Sequence, residues 1–211
     1  MGSTALTDGD QEHRFRLRAP RGAPTLGRME WSTGDADLLV EEIWKKLGRA
    51  SVDRRSPWRT PVVATSGAEG AEARVVVLRE VDAVGRRLCF HTDARSSKYA
   101  QLKSSDRLVW VFWDPRGQVQ LRVKCATRLY HRDEIARAHW NTQGEGARAL
   151  FALPGTPGAP LGDSTAPAHP FDAFVWVETI AESFDWLWLS HPEHMRFRFD
   201  LTTGVGQRVV P

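Results

Sequence analysis

Short apolar segments separated by turn residues fill most of the chain from residue 60 onward, and they constrain its fold more than any other feature. The clearest pair is Leu108–Trp113 and Gln118–Tyr130, joined by the turn-forming residues Asp114–Gly117. Segments that are rich in β-branched and aromatic residues and bounded by turns are typical of antiparallel strands. At least six such strands with few helices predict a barrel, in a mainly β fold with flanking helices (the α+β class). The other predicted strands are Thr60–Thr65, Arg74–Val81, Arg87–His91, Phe171–Ile180, Ser183–Leu189, His194–Asp200 and Gln207–Val210.

Helical patterns occur in few places. Apolar residues between Leu38 and Leu47 recur at helical spacing, which predicts a helix over Asp35–Arg49. Strands and helices do not alternate regularly, and the chain has no G-x-G-x-x-G sequence, which argues against a Rossmann-type dinucleotide site. The further predicted helices are Ser96–Lys103, Asp133–Thr142 and the short segment Ala147–Phe151.

The distribution of polar residues predicts one folded unit preceded by an arm. Residues 1–30 are polar, rich in Arg, Gly and Pro, and without periodicity, which predicts a flexible N-terminal arm. Residues 31–211 are predicted to form a single domain. Within it, Leu153–Pro170 is so rich in Pro, Gly and Ala that we expect an irregular loop, and we predict that its part Gly155–Pro170 covers a bound ligand.

Composition excludes several classes of protein. The 211 residues are 41% hydrophobic and 26% charged with a net charge of +3, so neither a disordered nor a strongly basic chain is indicated. Arginines are scattered among acidic residues, so we expect no nucleic-acid partner. No apolar run approaches the roughly 20 residues of a membrane span, and no signal peptide is evident, which predicts a cytoplasmic protein. Cys89 and Cys125 lie far apart in apolar segments, which predicts buried thiols and no metal site.

Two arginines bracket four apolar residues in Arg74–Arg79. A buried strand rarely carries arginine without a partner, and an anion would be a suitable one. Strand alternation places Arg74 and Arg79 on opposite faces because their separation is odd. One ligand therefore meets both only at a bulge, at a strand end or at a subunit boundary. The alternative is two surface arginines with buried stems.

Phe90–Lys98 runs from a strand end through a polar turn into a predicted helix. Free N–H groups at a helix N-terminus attract phosphate, and Ser96 and Ser97 add hydroxyl donors. Arg95 and Lys98 place positive charge where the helix dipole disfavours it, and an oxyanion bound there explains their presence. The alternative is a capped surface helix with an incidental lysine.

Two later segments carry side chains that suit a flat heterocycle. Gln118, Gln120 and Arg122 share one face of their predicted strand, and glutamine amides both donate and accept hydrogen bonds. Trp186 offers a broad stacking surface, and Arg196 can pair with phosphate or with a ring oxygen. The alternatives are a solvated sheet face and a tryptophan that belongs to the core.

Taken in order, these four segments resemble the pyridoxamine 5'-phosphate oxidase-like family of FMN-binding split barrels. Their order and spacing over residues 55–211 carry the resemblance. Members of the family are dimers of six-stranded antiparallel split β-barrels with two FMN molecules at the subunit interface. The resemblance therefore implies this fold, the cofactor FMN and a homodimer. The matching residues are Arg74-Val-Val-Val-Leu-Arg79, Phe90-His91-Thr92-Asp93, Arg95-Ser96, Lys98, Gln120-Leu-Arg122, Trp186 and His194-Met-Arg196-Phe197.

The resemblance also implies a role for each of these residues. Arg74 and Lys98, aided by Ser97, would hold the FMN phosphate, and Arg79 would lie near the isoalloxazine ring. Gln120 would meet the cofactor across the subunit interface. The complete implied cofactor-binding set is Arg74, Val75, Val76, Val77, Leu78, Arg79, His91, Thr92, Ser96, Ser97, Lys98, Gln120, Trp186 and Arg196, of which Trp186 and Arg196 would close the site.

The chain departs from the family pattern mainly around the substrate. Pro192 stands where the oxidase has a substrate-binding arginine, while His194 is retained. Ser97 replaces a second phosphate-binding arginine, and Arg79 replaces a lysine. A glutamine–serine pair of the family is replaced by proline and glycine within 153–160. The flavin site is therefore better kept than the site for the vitamin B6 substrate.

These observations predict an FMN-dependent oxidoreductase with an unassigned substrate, in which hydride passes to bound flavin. No nucleophile motif is present, and His194 is the one candidate catalytic residue. Two alternatives stay open. One is a split barrel that binds flavin or haem without catalysis, with His91 or His194 as a haem ligand. The other is an authentic pyridoxamine phosphate oxidase.

Overall fold

The computed structural model describes residues 33–162, 166–189 and 192–211. The predicted N-terminal arm, residues 1–30, lies outside them. Five α-helices are described: α1 (Thr33–Val52), α2 (Ser97–Ser104), α3 (Glu134–Asn141), α4 (Glu145–Ala149) and α5 (Pro170–Ala173). The strands are β1 (Val62–Gly67), β2 (Gly70–Val75), β3 (Glu80–Asp82), β4 (Arg87–Asp93), β5 (Arg107–Asp114), β6 (Val119–His131), β7 (Phe174–Leu189), β8 (His194–Asp200) and β9 (Val205–Val209).

All nine of these strands belong to one antiparallel sheet. Its main path runs β2-β1-β5-β6-β7-β4-β3, and β8 and β9 extend from β7. The mainly β fold with flanking helices is confirmed, and the sheet is open in the manner of a split barrel. Nine strand segments are predicted and nine strands are described, but their bounds differ in two places.

Strand β7 changes partners halfway along its length. Its first half, Phe174–Ile180, pairs with β4, and its second half, Ser183–Leu189, pairs on the same edge with β8. The other edge pairs with β6 throughout, with a register shift opposite Lys124 and Cys125 that leaves Glu182 as an extra residue. The prediction of two separate strands, Phe171–Ile180 and Ser183–Leu189, is therefore wrong. A bulge turns the chain here without releasing it from the ladder.

The predicted strand Arg74–Val81 is interrupted. β2 ends at Val75 and β3 begins at Glu80, and these strands lie at opposite ends of the main sheet path. The linking residues keep partial ladders, because Val76 N–H donates to the carbonyl of Pro61 (3.0 Å) and Arg79 N–H to that of Cys89 (2.8 Å). The split in the barrel is therefore bridged covalently by residues 76–79, hereafter the bridging segment.

Apolar side chains form two clusters on the two sides of the sheet. The larger one fills the barrel interior and includes Trp110, Phe112 and Phe184, all almost completely buried. Helix α1 adds Ile43 and Leu47 to it, as the helical spacing of its apolar residues requires. The smaller cluster lies under α3 and α5 and includes Cys89, Trp140, Phe151, Phe174 and Trp176.

The two cysteines are free and buried, as the sequence predicts. Burial raises the pKa of both thiols to about 12, so neither is a thiolate at neutral pH. Among the described residues, no group of three or more His, Cys, Asp or Glu side chains is placed to hold a metal ion. No helix in the described ranges is long and apolar enough to cross a membrane.

A pair of facing threonines offers a test of the barrel interior. Thr179 Oγ1 accepts from Trp110 Nε1 (3.0 Å) and donates to the carbonyl of Leu88 (2.7 Å), and so links β5, β7 and β4. The residue opposite it on β6, Thr127, has a buried hydroxyl without a hydrogen-bond partner in the described chain. We expect Thr179→Val to lower the free energy of unfolding by about 1–3 kcal/mol, because it strands the buried indole N–H.

Urea unfolding measures this loss, and Thr127→Val is the matched control. It removes a hydroxyl of the same size that satisfies no partner, so we expect a change of less than about 0.5 kcal/mol or a small gain. Equal losses in the two variants would contradict the assignment of the Trp110–Thr179–Leu88 link as a stabilising one.

Candidate functional site

The N-terminus of α2 combines open backbone donors with positive charge. Its N-cap residue, Ser96, makes no capping bond with its side chain, and the first turn holds no acidic residue. Instead, Ser96 Oγ donates back to the carbonyl of Asp93 (2.6 Å). Ser97 is exposed at the first helical position. The N–H groups of Ser96 and Tyr99 bond within the turn, whereas those of Ser97 and Lys98 have no acceptor among the described residues and suit an external anion, which the helix dipole also favours.

Lys98 points its amino group at this turn. Lys98 Nζ donates to Thr92 Oγ1 (2.9 Å), and within the described ranges no carboxylate lies within 4.0 Å of it. Burial lowers the pKa of Lys98, and the nearby Arg74 guanidinium lowers it further, while Asp93 opposes the effect. A half-buried ammonium without a carboxylate partner favours an anionic ligand.

Arg74 lies beside Lys98 and is held by its own set of partners. Its guanidinium donates to Glu72 Oε2 (2.8 Å), to Gln101 Oε1 (3.2 Å) and to the hydroxyl of Thr65. The side chain is 20% exposed. The structure therefore brings the two predicted phosphate-binding cations together, and it adds an acidic partner for one of them.

The bridging segment carries buried polar atoms that lack partners. Arg79 Nε is buried without a hydrogen-bond partner among the described residues, and the N–H of Val77 is likewise unbonded there. Burial lowers the pKa of Arg79, and the charge of Arg59 lowers it further. Val76 and Val77 are half-buried, and Leu78 is fully buried. Because buried donors are normally satisfied, these atoms fit a ligand with ring acceptors lying along the segment.

His91 lies next to Arg79 and faces the smaller cluster. Its ring packs against Phe151 and Phe174, with centroid distances of 5.5 and 5.6 Å. Burial and the charge of Arg79 lower the pKa of His91 to about 4, so its imidazole is neutral at neutral pH. His91 Nε2 is buried and has no partner within the described residues. Thr92 points to the opposite face, where Lys98 holds it.

The other predicted residues lie at the far end of the sheet. Gln120 of β6 and Arg196 of β8 face each other across Leu187 of β7 in one row of the ladder. Trp186 is 6% exposed and packs in the barrel interior against Phe197, with ring centroids 6.1 Å apart. The predicted alternative of a core tryptophan thus describes its position in this chain. His194 is exposed at the start of β8.

Arg196 is tied to a carboxylate that the sequence did not single out. Its Nε and Nη2 donate to the two oxygens of Asp185, both at 2.8 Å, and Arg122 Nη2 (2.5 Å) and Arg198 Nε (3.2 Å) donate to the same carboxylate. Burial would raise the pKa of Asp185, but hydrogen bonds from Arg196 and Arg122 lower it to about 2. An open groove of about 780 Å³ lies over this cluster, and neither Arg74 nor Lys98 lines it.

The predicted residues therefore form two groups that one chain does not bring together. His91 faces Trp176 near the start of β7, whereas Gln120 faces Leu187 near its end. Trp176 and Leu187 are eleven positions apart on β7, which corresponds to about 36 Å of strand length at roughly 3.3 Å per residue. We call Arg74–Arg79 with His91–Lys98 the first group, and Gln120, Trp186, His194 and Arg196 the second group.

Sequence reasoning missed four residues that contact the predicted ones, namely Glu72, Gln101, Asp185 and Arg59. Arg59 donates to the carbonyls of Leu78 (2.7 Å) and Ser51, and so fastens the bridging segment to the end of α1. Each of these contacts depends on strand register or helix docking, which local sequence patterns do not encode. The alternation of Glu72 and Arg74 on one strand face was the only available signal.

Comparisons with known proteins bear on the fold and on a family likeness. Residues 41–131 match the family model for the FMN-binding domain of pyridoxamine 5'-phosphate oxidase. That range contains the first group and Gln120 but neither Trp186 nor Arg196. No curated protein sequence matches the chain.

Two solved structures share the fold. One is a pyridoxamine 5'-phosphate oxidase-related, FMN binding protein from Nostoc punctiforme PCC 73102, with 21% identity, a TM-score of 0.62 and coverage of 87% of this chain and 100% of that one. The other is PhzG from Burkholderia lata 383 in complex with tetrahydrophenazine-1-carboxylic acid, with 13% identity, a TM-score of 0.63 and coverage of 89% and 100%. At these identities the likeness establishes the fold.

The Asp185 cluster predicts a loss of stability in acid. A folded-state pKa of about 2 lies below the value near 3.9 of an unfolded aspartate, so the contribution is complete above pH 4 and is lost as the pH falls towards 2. We expect Asp185→Asn to lower the free energy of unfolding by about 2 kcal/mol at pH 7, and by much less at pH 2.

Chemical denaturation at pH 7, 4 and 2 provides the measurement. Asp106→Asn is the control, because Asp106 is 74% exposed in its ion pair with Arg107, and such pairs contribute about 0–1 kcal/mol. A pH-independent difference between wild type and Asp185→Asn would show that the ionised carboxylate is not the stabilising species.

Proposed function

We propose that this protein, whose residues 41–131 match the family model for the FMN-binding domain of pyridoxamine 5'-phosphate oxidase, is an FMN-dependent oxidoreductase. The observation that carries the proposal is the first group. It places Lys98 without a carboxylate partner beside an uncapped helix N-terminus, and it leaves buried side-chain nitrogens of Arg79 and His91 without partners in the described chain. This donor set suits a molecule with a phosphate at one end and a polar ring at the other.

Each part of the first group has a distinct task in this proposal. Lys98 and Arg74 neutralise the phosphate together with the N–H groups of α2. The bridging segment lies along the ring, where Arg79 and the free N–H of Val77 donate to it. When bound, FMN supplies a ring that accepts a hydride from a reduced substrate and passes on the electrons. A fixed cation beside the ring stabilises the anionic reduced form, which is the contribution of Arg79.

The substrate side differs from that of the oxidase. Pro192 replaces a substrate-binding arginine of the family pattern, and His194 is exposed at the edge of β8. We therefore propose a substrate other than pyridoxamine phosphate. The neutral His91 has no carboxylate to orient it among its described contacts, so we assign it to contact with the flavin rather than to proton transfer.

We further propose that the working unit is a homodimer with FMN between the subunits. The placement of the two groups towards opposite ends of β7 supports this proposal, because a second copy of the chain can bring its second group to a flavin bound at the first group. A two-fold axis would then bring each first group against the partner's second group and build two equivalent sites.

Absorbance after addition of FMN and desalting tests the cofactor. We expect retained flavin bands in the wild type and at least about tenfold weaker FMN binding in Lys98→Ala, because a half-buried charge-assisted contact is lost. Lys103→Ala is the matched control, since Lys103 is an exposed lysine in the last turn of the same helix. A wild-type protein that ignores FMN would refute the proposal, and a Soret band would favour the haem-binding alternative.

Complementation between two variants tests the dimer. Lys98→Ala damages the first group and Gln120→Ala the second, so we expect each homodimer to bind FMN weakly. Co-expression of both chains should restore tight binding at about a quarter of all sites, because half of the dimers are mixed and each mixed dimer has one undamaged site. No restoration in verified mixed dimers would show that a single chain holds the whole site.

A further inference from the structure

We infer that Glu72 is a displaceable counter-ion which competes with the cofactor's phosphate for Arg74 and thereby sets how strongly the site selects phosphate-bearing flavins. This inference rests on the proposed function. It adds to a phosphate site an acidic residue that is absent from the cofactor-binding set implied by the resemblance. Glu72 therefore acts on one end of the ligand only, the end that distinguishes FMN from riboflavin.

The geometry places Glu72 in the path of a phosphate. Its Oε2 accepts from Arg74 Nη2 (2.8 Å), and its Oε1 accepts from Gln101 Nε2 (2.5 Å). Gln101 lies on α2, one turn after Lys98, so the carboxylate bridges β2 to the helix whose N-terminus is the proposed phosphate site. Both N–H groups of Arg74 Nη2 are already used, one by Glu72 Oε2 and the other by Gln101 Oε1, so a phosphate can bind this nitrogen only when one of these acceptors leaves.

Exposure determines which partner moves. The side chain of Glu72 is 49% exposed, whereas that of Arg74 is 20% exposed and is also held by Thr65 and Gln101. Glu72 is already half-hydrated, so its carboxylate can move into water at a small cost in free energy, while Arg74 stays in place. The ion pair keeps the guanidinium neutralised and oriented until a stronger anion arrives.

Charge explains the size of the effect. Glu72 is the carboxylate that pairs with Arg74, whereas the nearby Asp93 pairs with Arg95 (2.7 Å), and a phosphate ester brings a charge of about −1.5 to −2 at pH 7. With Glu72 in place the incoming dianion meets a reduced positive potential. Removing the carboxylate's charge while keeping its shape should raise the affinity for FMN and leave the affinity for riboflavin unchanged.

The experiment measures the dissociation constants of FMN and riboflavin by quenching of flavin fluorescence. The proteins are wild type, Glu72→Gln and the control Glu69→Gln, which removes the same charge from an exposed position in the turn of the same hairpin. We expect Glu72→Gln to bind FMN about two- to fivefold more tightly, with riboflavin and the control variant unchanged. The gain should shrink at 1 M salt, because screening weakens the carboxylate's competition.

Several outcomes would overturn the inference. Weaker or unchanged FMN binding in Glu72→Gln would show that Glu72 orients Arg74 rather than competing for it. Equal changes for FMN and riboflavin would place the effect away from the phosphate. If the wild type bound FMN and riboflavin equally tightly, the site would bind flavin without contacting the phosphate, and this inference would be wrong. A wild type that binds neither flavin would refute the proposed function itself, together with this inference.

Discussion

The pairing of β7 with three strands is the constraint on which the rest of the molecule depends. One of its edges is bonded to β6 throughout, and the other is shared between β4 and β8. The bulge at Glu182 allows this exchange of partners without ending the strand. Because β4 carries His91 and Thr92 of the first group and β8 carries His194 and Arg196 of the second, β7 also fixes the spacing between these residues.

The gap in the barrel lies where the chain crosses between the two ends of the sheet path. Residues 76–79 cross from the β2 end of the sheet path to the β3 end, so their backbone cannot join one complete ladder. An N–H group and a guanidinium nitrogen are left without partners in the described chain, at Val77 and Arg79. Such a cost is tolerated where a ligand completes the bonding. The opening that distinguishes this sheet from a closed barrel is thus also the surface that suits a ring.

Sequence patterns predicted the local elements well and the long-range ones poorly. The hairpin of β5 and β6 follows from alternation around a turn, and α1 from its apolar spacing. The break after Val75 was missed because its cause is the position of β3 on the far side of the sheet, which four consecutive apolar residues do not reveal. The continuity of β7 was missed for a related reason, since a bulge and a strand end look alike in sequence.

The candidate site also contains residues that the sequence predicted and residues that it did not. The pairing of Arg74 with Lys98 came from a family resemblance and from the chemistry of a helix start, and the structure places both cations together. The acidic partners were not foreseen, because register decides whether a carboxylate meets an arginine. Asp185 is 15% exposed and receives bonds from three arginines, so it is a fixed part of the sheet face. Glu72 is half-exposed and shares one arginine, so the same chemistry yields a contact that an anionic ligand can replace. Burial and the number of partners, rather than residue type, therefore separate an ion pair that holds the fold from one that regulates a site.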